Sequence, residues 1–131
     1  MKTPQLDERF TSKEVSRGNP VFIRIFKAER FTLIKTYSIC AFSGALGPKP
    51  MEGDRQSLEG FYKVGQGALN PNSTYHLPFN LRLPNAYDRA HRRTGSHLMV
   101  HGNCVSIGCY AIANAGIEDT YRLVQAALCN G

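Results

Sequence analysis

The fold of this 131-residue chain is organised around residues 101–110, which read His101-Gly102-Asn103-Cys104-Val105-Ser106-Ile107-Gly108-Cys109-Tyr110. The largely apolar run at residues 96–100 predicts a β-strand, so His101 is expected at a strand end. Gly108 lets the backbone turn just before Cys109, since glycine adopts conformations that are closed to other residues. We therefore expect the intervening loop to fold Cys109 back towards His101.

Cys109 and His101 are the residue types of a nucleophile and its base. A cysteine attacks as the thiolate, so a catalytic cysteine needs a pKa below the free value of about 8.5 and a partner such as an imidazole. Backbone amides around Gly108 and Cys109 are candidates for binding a developing oxyanion. The structural alternative is a buried cysteine that acts as a small apolar side chain.

A zinc site is a second alternative for the same segment. Two histidines and two cysteines lie close in sequence, namely His97, His101, Cys104 and Cys109. A closed structural zinc site needs four convergent ligands. The two cysteines are separated by four residues and no second close pair follows them. The pattern therefore favours a thiol and an imidazole without a metal.

The chain is long enough, at 131 residues and 42% hydrophobic, to form one globular domain with its own core. Residues 1–18 are polar and predict an N-terminal arm or short helix. Residues 19–131 form the folded domain. Seven prolines, twelve glycines and many β-branched and aromatic residues favour short strands and turns. We predict a mainly β domain that closes with a C-terminal helix.

Five segments before residue 96 are predicted from their patterns. Residues 21–27 and 31–39 predict two strands joined by a hairpin turn, and residues 61–64 predict a further strand. Residues 75–81 predict an edge or interrupted strand, because the proline at position 78 cannot donate to a ladder. Residues 84–95 predict a long polar loop, of the kind that is often functional.

The C-terminal helix is predicted from a cap and a periodic face. Asn114 is a good N-cap residue. Apolar residues then recur at helical spacing and predict one face packed on the sheet; they are Ile117, Tyr121, Val124 and Leu128.

The net charge of +6 and the pI near 9.4 favour contact with polyanions such as nucleic acid, anionic lipid or bacterial cell wall. Basic residues are scattered, and no basic stripe with exposed aromatics is present, so nucleic-acid binding is not predicted. The chain has no apolar run near 18 residues, hence no predicted transmembrane segment. Its first residues lack the apolar core of a signal peptide.

Four cysteines permit three complete pairings. Catalysis by Cys109 requires that this residue stay reduced. Cys40 with Cys104 is then a pair that the sequence permits without establishing it, and Cys129 is expected as an exposed thiol near the C-terminus.

The pattern His101-Gly102 followed by Ser106-x-Gly108-Cys109 resembles the active-site signature of the L,D-transpeptidase family, also called YkuD-type. Residues 37–44, 53–62 and 85–91 are similar to its YafK-type branch, and the resemblance covers about residues 18–131. It implies a YkuD-like, β-sandwich-type catalytic domain. The chain departs from the family between its first two predicted strands, where members usually carry an additional strand and turn.

The resemblance implies a thioester mechanism on peptidoglycan stem peptides. The thiolate of Cys109 attacks an L,D peptide bond, while His101 first accepts and later donates a proton. An acceptor amine then gives transfer, whereas water gives hydrolysis. YafK-like relatives include enzymes that detach lipoprotein from the wall, so a murein L,D-peptidase is the alternative. A wall-binding module without activity is a third hypothesis. The family implies the periplasm or cell envelope. The sequence itself gives no sign of an obligatory cofactor.

The resemblance also assigns supporting roles within residues 102–110. The main-chain carbonyl of Gly102 is expected to orient His101. Ser106 is expected to brace the loop by a hydrogen bond. From the residues themselves, Gly108 and Tyr110 are candidates for oxyanion binding or support; Tyr110 departs from the commoner family branches, which have a small aliphatic residue there.

Substrate contacts are predicted in two further segments. The polar loop at residues 84–95 is a candidate for binding the carboxylates of an acidic peptide, and Arg89 is suited to bidentate contact. The predicted substrate-binding residues are Arg89, His91, Tyr87 and Ser43.

Overall fold

The structure, a computed structural model, describes residues 18–20, 23, 25 and 37–130. The predicted N-terminal arm therefore lies outside the described residues, except for residue 18. The predicted strands at 21–27 and 31–39 also fall largely outside them. Ile23 and Ile25 are described, and both pack against the hydrophobic core.

Four short strands of the described chain form one mixed sheet in the order β1-β4-β3-β2. The outer pairs β1–β4 and β2–β3 are antiparallel, whereas the central pair β3–β4 is parallel. The elements are β1 (Ile39–Ala41), a 3₁₀ turn (Gln66–Ala68), β2 (Phe79–Asn80), α1 (Ala86–Ala90), β3 (Met99–His101), β4 (Tyr110–Ile112) and α2 (Asn114–Asn130).

The C-terminal helix α2 packs on the sheet through the face that its periodicity predicts. Ile117 is 0% exposed, Tyr121 and Val124 are also buried, and Leu128 packs against the same core. Complete burial of an aliphatic side chain of this size contributes about 1.5–3 kcal/mol. The predicted combination of a sheet with a C-terminal helix is confirmed. The second sheet of a β-sandwich stays a prediction.

Two predicted elements are wrong. Residues 61–64 form no strand; the carbonyl of Phe61 instead accepts a hydrogen bond from Nδ2 of Asn85 at 2.8 Å. Residues 84–95 are not entirely loop, because they contain α1. Asn85 and Asp88 form a reciprocal capping box at its start, a local sequence signal that identifies a helix.

Two other predicted strands form in shortened versions. The predicted strand at 75–81 is reduced to β2, which begins directly after Pro78 and lies at the sheet edge, as expected for an interrupted strand. The strand predicted at 96–100 is observed as β3, so His101 is its last residue. Among the described residues, no helix has both the length and the apolar character needed to cross a membrane.

Asp88 joins α1 to the rest of the domain. Its side chain is 2% exposed and accepts hydrogen bonds from the hydroxyl of Tyr62 at 2.9 Å and from the amide of Asn85 at 3.0 Å. Arg93 completes the site with an ion pair at 3.5 Å. A buried carboxylate requires such partners, because an unpaired charge would be strongly destabilising. This network fixes the position of α1.

Asn85→Ala is expected to lower the free energy of unfolding by about 1 kcal/mol, because it removes the side-chain oxygen that caps α1. Asn85→Ser is the matched control, since serine also caps helices. Denaturant unfolding followed by circular dichroism measures both variants. Equal midpoints for the alanine variant and the unaltered protein would contradict a stabilising role for this cap.

Candidate active site

The parallel register of β3 and β4 determines where Cys109 lies relative to His101. Val100 pairs with Tyr110, and His101 pairs with Ala111. Cys109, directly before β4, is therefore level with the residue two positions before His101, a rise of about 6–7 Å along the strand. Strand alternation, extended by one residue from β4 to Cys109, predicts that the thiol and the imidazole share one face of the sheet.

The imidazole of His101 is buried and fixed by its own backbone neighbour. Its Nδ1 lies 2.5 Å from the carbonyl oxygen of Gly102, and the side chain is 1% exposed. A carbonyl oxygen can only accept, so Nδ1–H donates this hydrogen bond, and in the neutral ring Nε2 is then the nitrogen with a free lone pair. The structure therefore contains the contact with the Gly102 carbonyl that the resemblance implies, and it makes Nε2 the basic atom.

The sulfur of Cys109 lies against the start of β3. It is 3.9 Å from the carbonyl oxygen of His97. Burial raises the pKa of the Cys109 thiol, and a hydrogen bond with the backbone of Met99 opposes this effect without reversing it. The expected depression of this pKa is therefore absent. Cys109 is a protonated thiol at neutral pH in this state.

Ser43 and Ser106 hold the turn that carries the thiol. Gly108, with φ of +99°, donates its amide to the hydroxyl of Ser43 at 2.6 Å. That hydroxyl in turn donates to the carbonyl of Arg55 at 2.5 Å. Ser106 donates to the carbonyl of Cys109 at 2.5 Å, the bracing bond expected of it. The Ser43 hydroxyl thus links the turn at Gly108 to the backbone at Arg55. Its contact with substrate stays a prediction.

The observed bond of Gly108 bears on its predicted oxyanion role. Its amide already donates to a hydroxyl, so binding an oxyanion would require that bond to be exchanged. Tyr110 lies on the core side: its hydroxyl donates to the carbonyl of Leu58 at 2.6 Å, and the side chain is 3% exposed. Burial raises the pKa of Tyr110. Tyr110 thus supports the strand that follows the thiol.

Tyr75 packs against the imidazole of His101, a contact that was not predicted from the sequence. The ring of Tyr75 lies 4.4 Å from the ring of His101, centroid to centroid. The carbonyl oxygen of His76 accepts a hydrogen bond from the amide of Gly102 at 2.9 Å. The side chain of His76 contacts α2, with Nε2 3.0 Å from Oε1 of Glu118. Contacts of this kind join residues far apart in sequence and leave no local pattern.

Two of the predicted substrate-binding residues, Tyr87 in α1 and His91 directly after it, contact each other. The rings of Tyr87 and His91 lie 4.0 Å apart, and the guanidinium of Arg93 lies 5.2 Å from the centre of the Tyr87 ring. Arg89 donates to the carbonyl of Pro84 at 2.6 Å. Tyr87 is nevertheless 59% exposed. The role of these residues in binding substrate stays a prediction.

Cys40 and Cys104 form a disulfide, whereas Cys109 and Cys129 are free thiols, buried and exposed respectively. This is the pairing that leaves the candidate nucleophile reduced. The sulfur of Cys104 is consequently not available as a zinc ligand. Within the described ranges, no group of three or more histidine, cysteine, aspartate or glutamate side chains is placed to hold a metal ion.

Comparison with known proteins identifies relatives of this chain, although no family model matches it. Over 130 residues it is 47% identical to proteins named "Putative L,D-transpeptidase YafK" from Escherichia coli strains K12 and O157:H7. The chain is homologous to these YafK proteins over the aligned stretch. The resemblance predicted from its motifs is thereby confirmed. The alignment covers 91% of this chain and 53% of each YafK protein, so the chain spans about half the length of these relatives.

Solved structures show a related fold. The helical cell shape determining protein Pgp2 from Campylobacter jejuni matches this YafK homologue with a TM-score of 0.55 and 29% identity. The match covers 64% of this chain and 33% of Pgp2, and a lysine-to-alanine variant of Pgp2 matches equally well. The sheet and helix that carry the candidate site are consistent with a YkuD-like fold.

Gly102→Ala is expected to destabilise the domain by about 1–3 kcal/mol, the usual cost of overpacking. A Cβ at this position would lie 2.5 Å from Oδ1 of Asn114 and 2.9 Å from Cβ of His76. Gly67→Ala is the control, because nothing lies within 4 Å of a Cβ there. Denaturant unfolding compares the two variants, and an equal loss in both would contradict the steric argument.

Tyr75→Ala is expected to expose the imidazole of His101 and accelerate its acylation by diethyl pyrocarbonate several-fold. Tyr75→Phe keeps the covering ring and should leave the rate unchanged. Peptide-resolved mass spectrometry measures the rate, with the exposed His91 as an internal reference. Equal rates at His101 in the two variants would show that the ring does not control access.

Proposed function

We propose that this YafK homologue catalyses cysteine-dependent acyl transfer on peptidoglycan stem peptides, an L,D-transpeptidase-type reaction. The observation that supports the proposal is the β3–β4 register, in which Cys109, directly before β4, is level with the residue two positions before His101. The similarity to proteins named as L,D-transpeptidases supports the reaction class. The similarity to a protein described as determining cell shape supports the wall as substrate.

The protonation states define the first step. Burial raises the pKa of Cys109, so the nucleophile is not stored as a thiolate. The free Nε2 of His101 accepts the thiol proton as sulfur attacks the carbonyl carbon, which is general base catalysis. The carbonyl of Gly102 holds Nδ1–H and stabilises the imidazolium that forms. The positive charge on the histidine then stabilises the anionic intermediate.

Collapse of that intermediate releases the amine and leaves a thioester on Cys109. The imidazolium of His101 donates its proton to the leaving amine, so the histidine returns to its neutral form. An acceptor amine attacks the thioester, and the thiol is regenerated with a new amide bond. Water as acceptor would make the same site a murein L,D-peptidase, including one acting on a wall-linked lipoprotein.

The compartment and the binding surface follow from the same proposal. A disulfide such as Cys40–Cys104 persists in oxidising compartments, which supports the periplasm or cell envelope. The net charge of +6 favours approach to an anionic wall. Arg89, His91 and Tyr87 are proposed to bind the stem-peptide carboxylates.

Cys109→Ala is expected to abolish turnover of purified muropeptides and the thioester adduct detected by intact-protein mass spectrometry. His101→Gln is expected to slow the reaction by about 10²–10⁴-fold, the usual contribution of a general base. Cys129→Ala is the matched control, since it removes the exposed free thiol and should retain full activity.

An added acceptor amine separates transfer from hydrolysis, because exchanged stems and shortened stems differ in mass. Absence of both adduct and product with several stem types would refute the enzyme proposal. Unchanged binding of intact wall by Cys109→Ala in that case would point to a wall-binding module.

A further inference from the structure

The loop between β3 and β4, residues 102–109, carries the thiol and is called here the nucleophile loop. Much of it is exposed: Val105 is 55% exposed and Ile107 is 77% exposed. Burial of apolar side chains therefore does not hold this part of the loop. Its position depends on individual contacts with the surrounding elements.

The middle of the nucleophile loop adopts a conformation that L residues seldom take. Asn103 has φ of +70° and Cys104 has φ of +48°. Two contacts hold this turn: the amide of Asn103 donates to Oδ1 of Asn114 at 2.8 Å, and Cys104 forms the disulfide with Cys40. The disulfide is thus attached at Cys104, one of the two loop residues with an unfavourable positive φ.

The other end of the disulfide is built into the sheet. Ile39 pairs with Ile112 and Ala41 with Ala111, so β1 carries one extra residue, Cys40, opposite β4. A bulge of this kind re-aims the side chain of the extra residue. Here Cys40 Sγ lies 3.4 Å from the carbonyl oxygen of Ala111 in β4. The disulfide therefore joins the nucleophile loop to β1. This strand pairs with β4, which begins just after Cys109.

We propose that Cys40 and Cys104 are positioning residues whose disulfide holds Cys109 in register with His101. The protein is then active in one mixed redox state, with this pair oxidised and Cys109 reduced. The effect on activity rests on the proposed function, whereas the effect on the accessibility of Cys109 does not. A reductant strong enough to open the pair lowers activity even though it leaves the nucleophile as a free thiol.

Opening the disulfide with a water-soluble phosphine provides the test on the native protein. The phosphine is oxidised to its oxide, water supplies the oxygen and two protons, and the pair becomes two thiols. No thiol is added, so no exogenous sulfur competes for a thioester. Circular dichroism checks that the reduced protein remains folded.

The first measurement is the rate of iodoacetamide alkylation at each free thiol, resolved by peptide mass spectrometry. After the disulfide is opened, Cys109 is expected to react about tenfold faster, because the nucleophile loop that carries it opens locally and exposes the thiol. Cys129 is the internal control, exposed in both states, and its rate should not change. An unchanged rate at Cys109 would overturn the proposal.

The second measurement is turnover of muropeptides by the reduced protein and by the double variant Cys40→Ser with Cys104→Ser. We expect kcat to fall about 10–100-fold with little change in KM, since a displaced nucleophile costs rate more than binding. Cys129→Ser is the matched control and should behave as the unaltered protein. Unchanged kcat in the folded double variant would overturn the proposal.

The two failures are distinguishable. If the oxidised protein turns over no stem peptide, the proposed function fails, and the alkylation rates still decide whether the disulfide positions Cys109. If both the reduced protein and the double variant unfold, the disulfide supports the whole fold and the specific positioning role is refuted.

Discussion

The parallel pairing of β3 with β4 is the constraint on which the site depends. Parallel strands usually need a connection of about a dozen residues or more, because the chain must return to its starting edge. Here residues 102–109 make that return, which is possible since β3 spans only Met99–His101. The short return places a thiol immediately before one central strand and an imidazole at the end of the other. Packing of α2 against β3 stabilises this arrangement from one side.

The candidate nucleophile is a neutral thiol within the protein, and its candidate base is a buried imidazole. Burial favours the neutral thiol of Cys109 over its anion. The carbonyl of Gly102 fixes one tautomer of His101, and Tyr75 covers the ring. In the proposed reaction, this pair gains charge only when proton transfer is coupled to attack on a substrate. The rest of the site then has to provide access and orientation, which is the task of the loops around it.

Polar contacts between distant segments provide that orientation. The nucleophile loop is held by the carbonyl of His76, the side chain of Asn114, the disulfide to Cys40 and the hydroxyl of Ser43. Each contact comes from a different part of the chain, so the loop reaches this position only when those parts have folded together. Much of the loop is exposed, so it is held by these few bonds. The helix α2, in contrast, is held by the packing of its apolar face.

The sequence by itself determined the elements whose signals are local: the thiol and imidazole with their glycines, the apolar face of α2, and the cysteine pair it permitted. It also contained the capping box of Asn85 and Asp88, a local signal that is sufficient to predict the start of α1. Only the tertiary structure decided that residues 61–64 form no strand and that Ser43 holds Gly108. It alone placed Tyr75 on His101. The physical reason is that helix faces and caps depend on neighbours a few positions away, whereas these contacts join residues tens of positions apart and exist only once the sheet has formed.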